Sequence, residues 1–270
     1  RAQCQNNLKQ IGLAFLNHEN AHGHLPTGGW GWKWVGDPDR GAGRRQPGGW
    51  GYNVLPYLEQ EALYNAGRGE TNATLKGEAM AKAISTPLSV FICPTRRRAI
   101  AYAYDGREIY NVPSPPSVMA RTDYAANAGS GGAVGQTGPS SLQDGDATTN
   151  WLQLNGVVYQ ASQVTIAEIK DGTSNTYMVG ERYINPDGYF TGREGADDQS
   201  LHIGHDQDTL RWARYDPNDS SGNTYYQPMQ DRPGYSYSWK FGSAHPGGWN
   251  CAFCDGSVHM MSYSIDPNVH

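Results

Sequence analysis

The 270-residue chain has little charge and no surplus of the basic kind. Charged residues are 17% of it, 21 basic against 26 acidic, for a formal net charge of −5. A protein that tracks a phosphate backbone needs a concentrated basic face. None is written here, which argues against nucleic acid as a partner. The chain also lacks any apolar run of about 18 residues, the length a membrane-spanning helix requires, and shows no signal peptide. No internal repeat of fixed period occurs. Phenylalanine is scarce, with 5 against 8 Trp and 17 Tyr. Most of the aromatic surface therefore carries a polar handle, as suits half-wet packing or a binding surface.

What is plentiful is glycine, at 34, and proline, at 16, beside 37% hydrophobic residues. That composition describes one elaborate, loop-rich domain with many turns and few long amphipathic helices. Cys4, Cys93, Cys251 and Cys254 are an even set, compatible with two disulfides in an oxidising compartment, although four cysteines allow three pairings. A zinc site built from cysteine would need all four to converge, and only Cys251 and Cys254 have the usual knuckle spacing. Disulfides or structural thiols are expected instead.

The stretch that organises the rest is the first one. Cys4, Leu8, Ile11, Phe15 and His18 recur at spacings of four, three, four and three, which stack on one side of a helix. Leu13, Ala14 and Leu16 are expected to widen that stripe, with Gln5, Asn6, Lys9, Gln10 and Asn17 on the other side. Arg1-Ala2 stands where a Ser, Thr, Asp or Asn cap would be expected. The opening therefore reads as the lower half of a longer helix, with an ordinary amphipathic helix as the plain alternative. His18 and His22 sit one turn apart, a spacing able to hold a metal, yet no third ligand is evident and surface or capping roles are expected.

Residues 27–51 form a Gly/Trp loop. Trp30, Trp32 and Trp34 alternate as on a strand, so all three would point one way. They are expected to be a lid over the core or, with Trp50, a platform on which sugars stack. Residues 53–67 and 75–84 read as helices, and 88–94 as a buried apolar segment. Strand-like pieces at 101–104 and 123–126 precede a small, polar loop at 129–145. After a turn at 170–174, residues 175–183 make the best central strand, and 185–234 is again loop. Strands are expected at 235–240, 250–254 and 257–262, the last two joined by Asp255-Gly256, a strong hairpin signal. A helix first and a mostly antiparallel sheet after it describe an α+β fold, a leading helix laid across a meander.

Five segments in this order resemble one bacterial family. The opening CQNNLKQIGLAFLNHENAHGHLP is similar to the region just after the hydrophobic anchor of prepilin-like secreted proteins. LPYLEQ at 55–60 and FICP at 91–94 also fit. So do DGTSNT at 171–176, running on to Val179-Gly180-Glu181, and His245, which is followed by nine residues and Asp255-Gly256 in an H-x9-DG signature. The resemblance spans nearly the whole chain. It implies a type IV pilin-like or pseudopilin-like fold, with 1–22 as the lower half of the N-terminal helix packed on an antiparallel sheet and 23–270 as a single β-rich head with long loop insertions. It further implies a non-enzymatic extracellular subunit for filament assembly, secretion or surface attachment. Such a subunit is anchored in the inner membrane before assembly, through a segment ahead of residue 1, and meets its own kind or other pilin-like subunits through the helix. An extracellular module binding a glycan or surface ligand through the Trp/Tyr-rich loops is the rival function.

His245 and Asp255 could move protons as a pair, but no nucleophile or metal is nominated. A structural role is expected: Asp255 accepting from turn amides, Gly256 making the turn, and His245 bonding across the ladder. Asp171 and Gly172 are read the same way. Calcium enters through the resemblance, since pseudopilins often hold it in a loop. It needs six to eight oxygens, and Asp144 with Asp146 is the first choice, ahead of Asp37/Asp39, Asp197/Asp198, Asp206/Asp208 and Asp216/Asp219. Cys4 and Cys93 are the expected long-range pair; a bridge closing such a loop contributes on the order of 4 kcal/mol. A bridge between Cys251 and Cys254 would need a bulge in the strand.

Overall fold

The computed structural model describes residues 1–131, 135–214, 218, 226–236 and 239–270. It opens on helix α1, Ala2–His22, whose row Cys4, Leu8, Ile11, Phe15 and His18 is buried. Gly23 closes the helix in the left-handed conformation, φ 75°, and its N–H donates to Glu19 O at 2.7 Å. That is the cap a glycine makes at least cost. The opposite row, with Asn6, Gln10, Leu13 and Asn17, faces outward. Leu13 departs from the expected stripe, at 55% exposed, because two residues past Ile11 is roughly 200° around the helix.

Helices α2 (Trp50–Asn53), α3 (Glu61–Tyr64) and α4 (Ala73–Ile84) follow, with a 3-10 turn at Leu55–Leu58 between the first two. The helix expected over 53–67 is thus broken into pieces. Pro56 withdraws a donor, and Glu59 takes a left-handed φ of 60° that no continuing helix tolerates. The start of α4 is a conventional cap, in which Asn72 accepts from the N–H groups of Thr74 and Leu75. Residues 142–147, expected as loop, form α5 (Leu142–Ala147), after strands β1 (Tyr102–Ala103), β2 (Val118–Met119) and β3 (Tyr124–Asn127).

The remaining strands are β4 (Tyr177–Glu181), β5 (Leu210–Arg211), β6 (Met229–Gln230), β7 (Gly242–Ser243), β8 (Gly248–Phe253) and β9 (Val258–Ser262). Among the described residues the widest sheet runs β5-β3-β4-β8-β9. Its β3, β4, β8 and β9 are antiparallel neighbours, but β5 joins β3 in parallel. The expected antiparallel sheet is therefore mixed at one edge. Residues 182–209 carry the chain past β3 before it re-enters alongside, which a hairpin cannot do. Of the strand expected at 235–240, residues 237 and 238 lie outside the described residues and the others are irregular. The fold is α+β.

Helix α1 lies on β4, β8 and β9. Its stripe meets Met178, Val179, Ala252 and Cys254 from the sheet side, Trp50 of α2, Leu55 of the 3-10 turn that follows, and Phe91. The sheet's other face carries Tyr177, Trp249, Cys251 and Phe253 against Phe241. Cys251 and Cys254 thus belong to opposite faces, as residues three apart on a period-two strand must. Both are buried and free, so the bridge between them is not formed.

A buried ionic layer accompanies this core. Arg96, Arg97 and Arg182 are at most 4% exposed. Arg97 pairs with Asp123 at 2.7 Å and with Asp197; Arg96 pairs with Asp123 at 3.2 Å and Asp231 at 2.9 Å; Arg182 pairs with Asp197. Guanidinium forks suit such sealed carboxylates.

His202 is sealed as well, its ring 5.8 Å from that of Tyr52. Burial pushes its pKa down from 6.5 to about 3. The unfolded chain takes up this proton near the ordinary value and the folded chain refuses it, so the stability His202 contributes is complete above that value and shrinks as pH falls. Between about pH 7 and about pH 4.5 the loss is about 2–3 kcal/mol. His202→Leu is expected to remove that part of the acid sensitivity, read as the change with pH of the wild-type-minus-variant difference in urea stability. A difference that stays constant with pH contradicts the assignment.

Candidate functional site

Four segments far apart in the sequence meet at one buried point. Cys4 comes from the first turn of α1, Cys93 from the FICP segment, Glu181 from the last position of β4, and His245 from the turn ahead of β8. One donor atom from each lies within 4.8 Å of all the others. Cys4, Cys93 and Glu181 are 0% exposed and His245 is 3%. Cys4 Sγ stands 3.0 Å from Cys93 Sγ, which is 3.8 Å from His245 Nε2, which is 3.2 Å from Glu181 Oε1. Both thiols are free. The disulfide expected between Cys4 and Cys93 is therefore not formed: the two thiols are brought side by side, and two further groups with them.

Each donor is held from behind. Glu181 Oε2 accepts from the backbone N–H of Asn250 at 2.7 Å and from its side-chain amide at 2.8 Å. The Cys93 N–H donates to Asp123 at 2.7 Å, and Asp123 is in turn fixed by Arg96 and Arg97. Asn7, one turn beyond Cys4, donates to Ile92 O at 3.0 Å and to the Tyr124 hydroxyl at 3.2 Å. The His245 N–H donates to Ser243 Oγ, and its carbonyl accepts from the Tyr263 hydroxyl. A carboxylate ending a central strand is costly to bury unless matched, and here the matching groups come from Asn250 on β8 and from His245.

The electrostatics follow from this crowding. The Cys4 thiol donating to Cys93, followed by His245, holds Cys93 down at about 5, so it carries the thiolate. The same Cys93 contact and Glu181 hold His245 up at about 9. Cys4, donating to the thiolate and buried, is pushed far up. A thiolate, an imidazole and a carboxylate invite comparison with a nucleophile relay, but a relay divides its two contacts between the two ring nitrogens. Here the same Nε2 faces both sulfur and carboxylate.

A family model described as protein of unknown function (DUF1559), SBP_bac_10, matches residues 1–268. The chain belongs to that family. No curated protein and no solved structure matches it.

The other residues singled out from the sequence of this DUF1559 chain fall elsewhere. Asp255 accepts from the N–H and Oγ of Ser257, at 2.8 and 2.7 Å, in the turn between β8 and β9. Gly256 sits there at φ 80°. His245 precedes β8 and Asp255 follows it, roughly 20 Å along the strand, so the proton-moving pair is not assembled. His259 reaches Ser257 Oγ at 3.0 Å, but that hydroxyl already donates to Asp255. Gly256→Ala is expected to cost about 1–2 kcal/mol, the penalty for a Cβ in the left-handed region, seen as a lower urea midpoint. Asp171 and Gly172 shape the turn into β4: Gly172 has φ 89°, and Asn175 donates to Asp171 O at 2.9 Å. His18 is buried rather than superficial, with its Nδ1 3.0 Å from His24 O.

Two expectations are overturned. Trp30, Trp34 and Trp50 are at most 1% exposed, which removes the stacking platform. Trp30 and Trp34 pack edge to face, centroids 5.0 Å apart, and Trp50 donates to Thr209 O. Trp32 points another way, beside the Lys33 ammonium, since the segment turns instead of running as a strand. The calcium pair Asp144 and Asp146 is also spent otherwise. Asp146 binds Arg40 and Arg45, and Asp144 accepts from Ser141 as part of the α5 cap. Two guanidinium groups occupy the side where a cation would sit.

The alternative acidic pairs are engaged too. Asp37 and Asp39 clamp Lys76 at 2.7 Å each, and Asp197 and Asp198 hold Arg97 and Arg107. Asp206 and Asp208 accept backbone N–H groups, while Asp216 and Asp219 lie outside the described residues. Glu181 and Asn250 are the site residues that sequence reasoning passed over. Their signal was polarity inside otherwise apolar strands, to which Glu181 added its place at the end of the family-like DGTSNT to Val179-Gly180-Glu181 stretch.

Proposed function

We propose that this chain is a non-enzymatic, pilin-like subunit of the cell envelope. It joins a filament, a secretion assembly or a surface attachment through α1. One observation carries the reading: α1 is sealed along one row on the sheet and bare along the opposite row, where Leu13 is 55% exposed. With one row docked on the sheet, the bare row of α1 is left free to meet a neighbouring helix. The H-x9-DG and DGTSNT segments support the same reading. Among the described residues no helix is long and apolar enough to cross a membrane. In this reading the partners are further copies or other pilin-like subunits.

The test places a photo-crosslinking amino acid at Leu13, and as a control at Leu75, which is 51% exposed on α4, in the full gene product expressed in its own cells. Irradiation is expected to give a ladder of copies or pilin-like partners from Leu13 and none from Leu75, with filaments visible in sheared surface material. A Leu13 probe that captures no more than the Leu75 probe would sink the assignment.

A further inference from the structure

We propose that Cys4, Cys93, Glu181 and His245 together form a tetrahedral binding site for a divalent transition-metal ion, zinc before others. This inference is independent of the filament reading and concerns the interior of the head.

The donor set decides the chemistry. Two sulfurs, one imidazole nitrogen and one carboxylate oxygen suit zinc and fit poorly with calcium or magnesium, which take oxygen. Geometry agrees. Tetrahedral zinc with bonds of about 2.0–2.3 Å sets its donors roughly 3.3–3.8 Å apart. The separations here are 3.0, 3.8 and 3.2 Å, and no donor pair exceeds 4.8 Å. Opening the two sulfurs by less than about 1 Å makes room for the ion.

Burial sharpens the case. An acidic cluster on a surface is solvated and means little. These four groups are sealed, and Glu181 Oε1 has no hydrogen-bond partner besides its ion-pair contact with His245. Asn250, which donates twice to Glu181 Oε2, matches the outer shell that metal ligands ordinarily have, and Asp123 fixes the backbone of Cys93. A disulfide between Cys4 and Cys93 would use two of the four groups and leave Glu181 and His245 as an ion pair beside it.

The four donors also come from four separate elements, so one ion would fasten α1, the FICP segment, β4 and the turn before β8 to one another. All donors are then fully occupied by protein, which is the mark of a structural metal rather than a catalytic one. Coordination displaces the protons on sulfur and on Nε2 to solvent, and no oxidant or reductant is involved.

The test uses the full chain, reduced, stripped with a chelator and kept under nitrogen. Cobalt alone is titrated in first. One equivalent is expected to produce the thiolate-to-cobalt charge-transfer band and the visible bands of four-coordinate Co2+, and zinc alone is expected to displace it one for one. His245→Ala and Glu181→Gln are expected to weaken binding by more than the roughly 10–100-fold that loss of an outer-shell partner costs. Asn250→Ala is expected to fall within that range, and Cys254→Ala to leave binding unchanged. Should a ligand variant fail to fold, X-ray absorption on the zinc-loaded wild type replaces it, with two sulfurs and two nitrogen or oxygen donors expected. Three results overturn the proposal: a spectrum without saturable bands, bands that persist in His245→Ala, or a different ligand ratio. So does a chain isolated with a Cys4–Cys93 disulfide that takes up no cobalt once reduced.

Discussion

Phe15→Ala is expected to lower the unfolding free energy by about 3–5 kcal/mol, the range for deleting a large aromatic ring from a closed core. The ring is 0% exposed and stands 5.4 Å from the ring of Trp50, which touches Phe91 in turn. It is the point at which α1, α2 through Trp50 and the segment ahead of Cys93 share one contact. The surroundings cannot collapse cheaply into the void, because Trp50 is tied to Thr209 O by its indole N–H at 2.7 Å. Much of the ring's lost contact energy therefore remains as a cavity. Leu13→Ala, two residues back on the bare side, is the control, and is expected to change stability by no more than about 0.5 kcal/mol. Urea denaturation of both variants reads the contrast. Equal losses would mean that the buried and open rows of α1 have been exchanged.

Arg97→Met is expected to cost a similar amount, about 3–5 kcal/mol, by a different cause. Arg97 is 4% exposed and lies between two sealed carboxylates, Asp123 at 2.7 Å and Asp197. Methionine fills comparable space, so the loss is mainly electrostatic: two buried anions keep only Arg96 and Arg182 as partners. Because Asp123 also receives the Cys93 N–H, the variant should loosen the metal-type cluster as well. Lys33→Ala breaks the exposed pair with Glu108, 2.9 Å long but with Glu108 65% exposed, and is expected to cost at most about 1 kcal/mol. Raising salt should erase that smaller effect and leave the Arg97 effect standing, since screening reaches surface pairs and barely touches sealed ones. An Arg97→Met protein as stable as wild type would show the ionic layer to be energetically neutral.

The sequence by itself determined the elements whose signal is local. The face of α1 was legible because apolar side chains recur every three or four residues, the same interval at which a helix turns. The hairpin at Asp255-Gly256 was legible because a left-handed turn asks for glycine. The nearness of Cys4 and Cys93 was legible as well, though the disulfide expected between them is not formed. Tertiary structure alone decided everything that depends on which distant groups arrive at one point. No periodicity tells Trp30 and Trp34 to turn inward, or says that Arg40 and Arg45 will claim Asp146. None sends β5 alongside β3 in parallel. Above all, nothing local brings Glu181 and His245 to the two thiols: each is an ordinary residue of its own segment, and only close packing of four elements in a water-free space converts them into one set of ligands. Local conformational preference is encoded residue by residue, whereas the energy of a buried polar cluster exists only after all its members have lost water together.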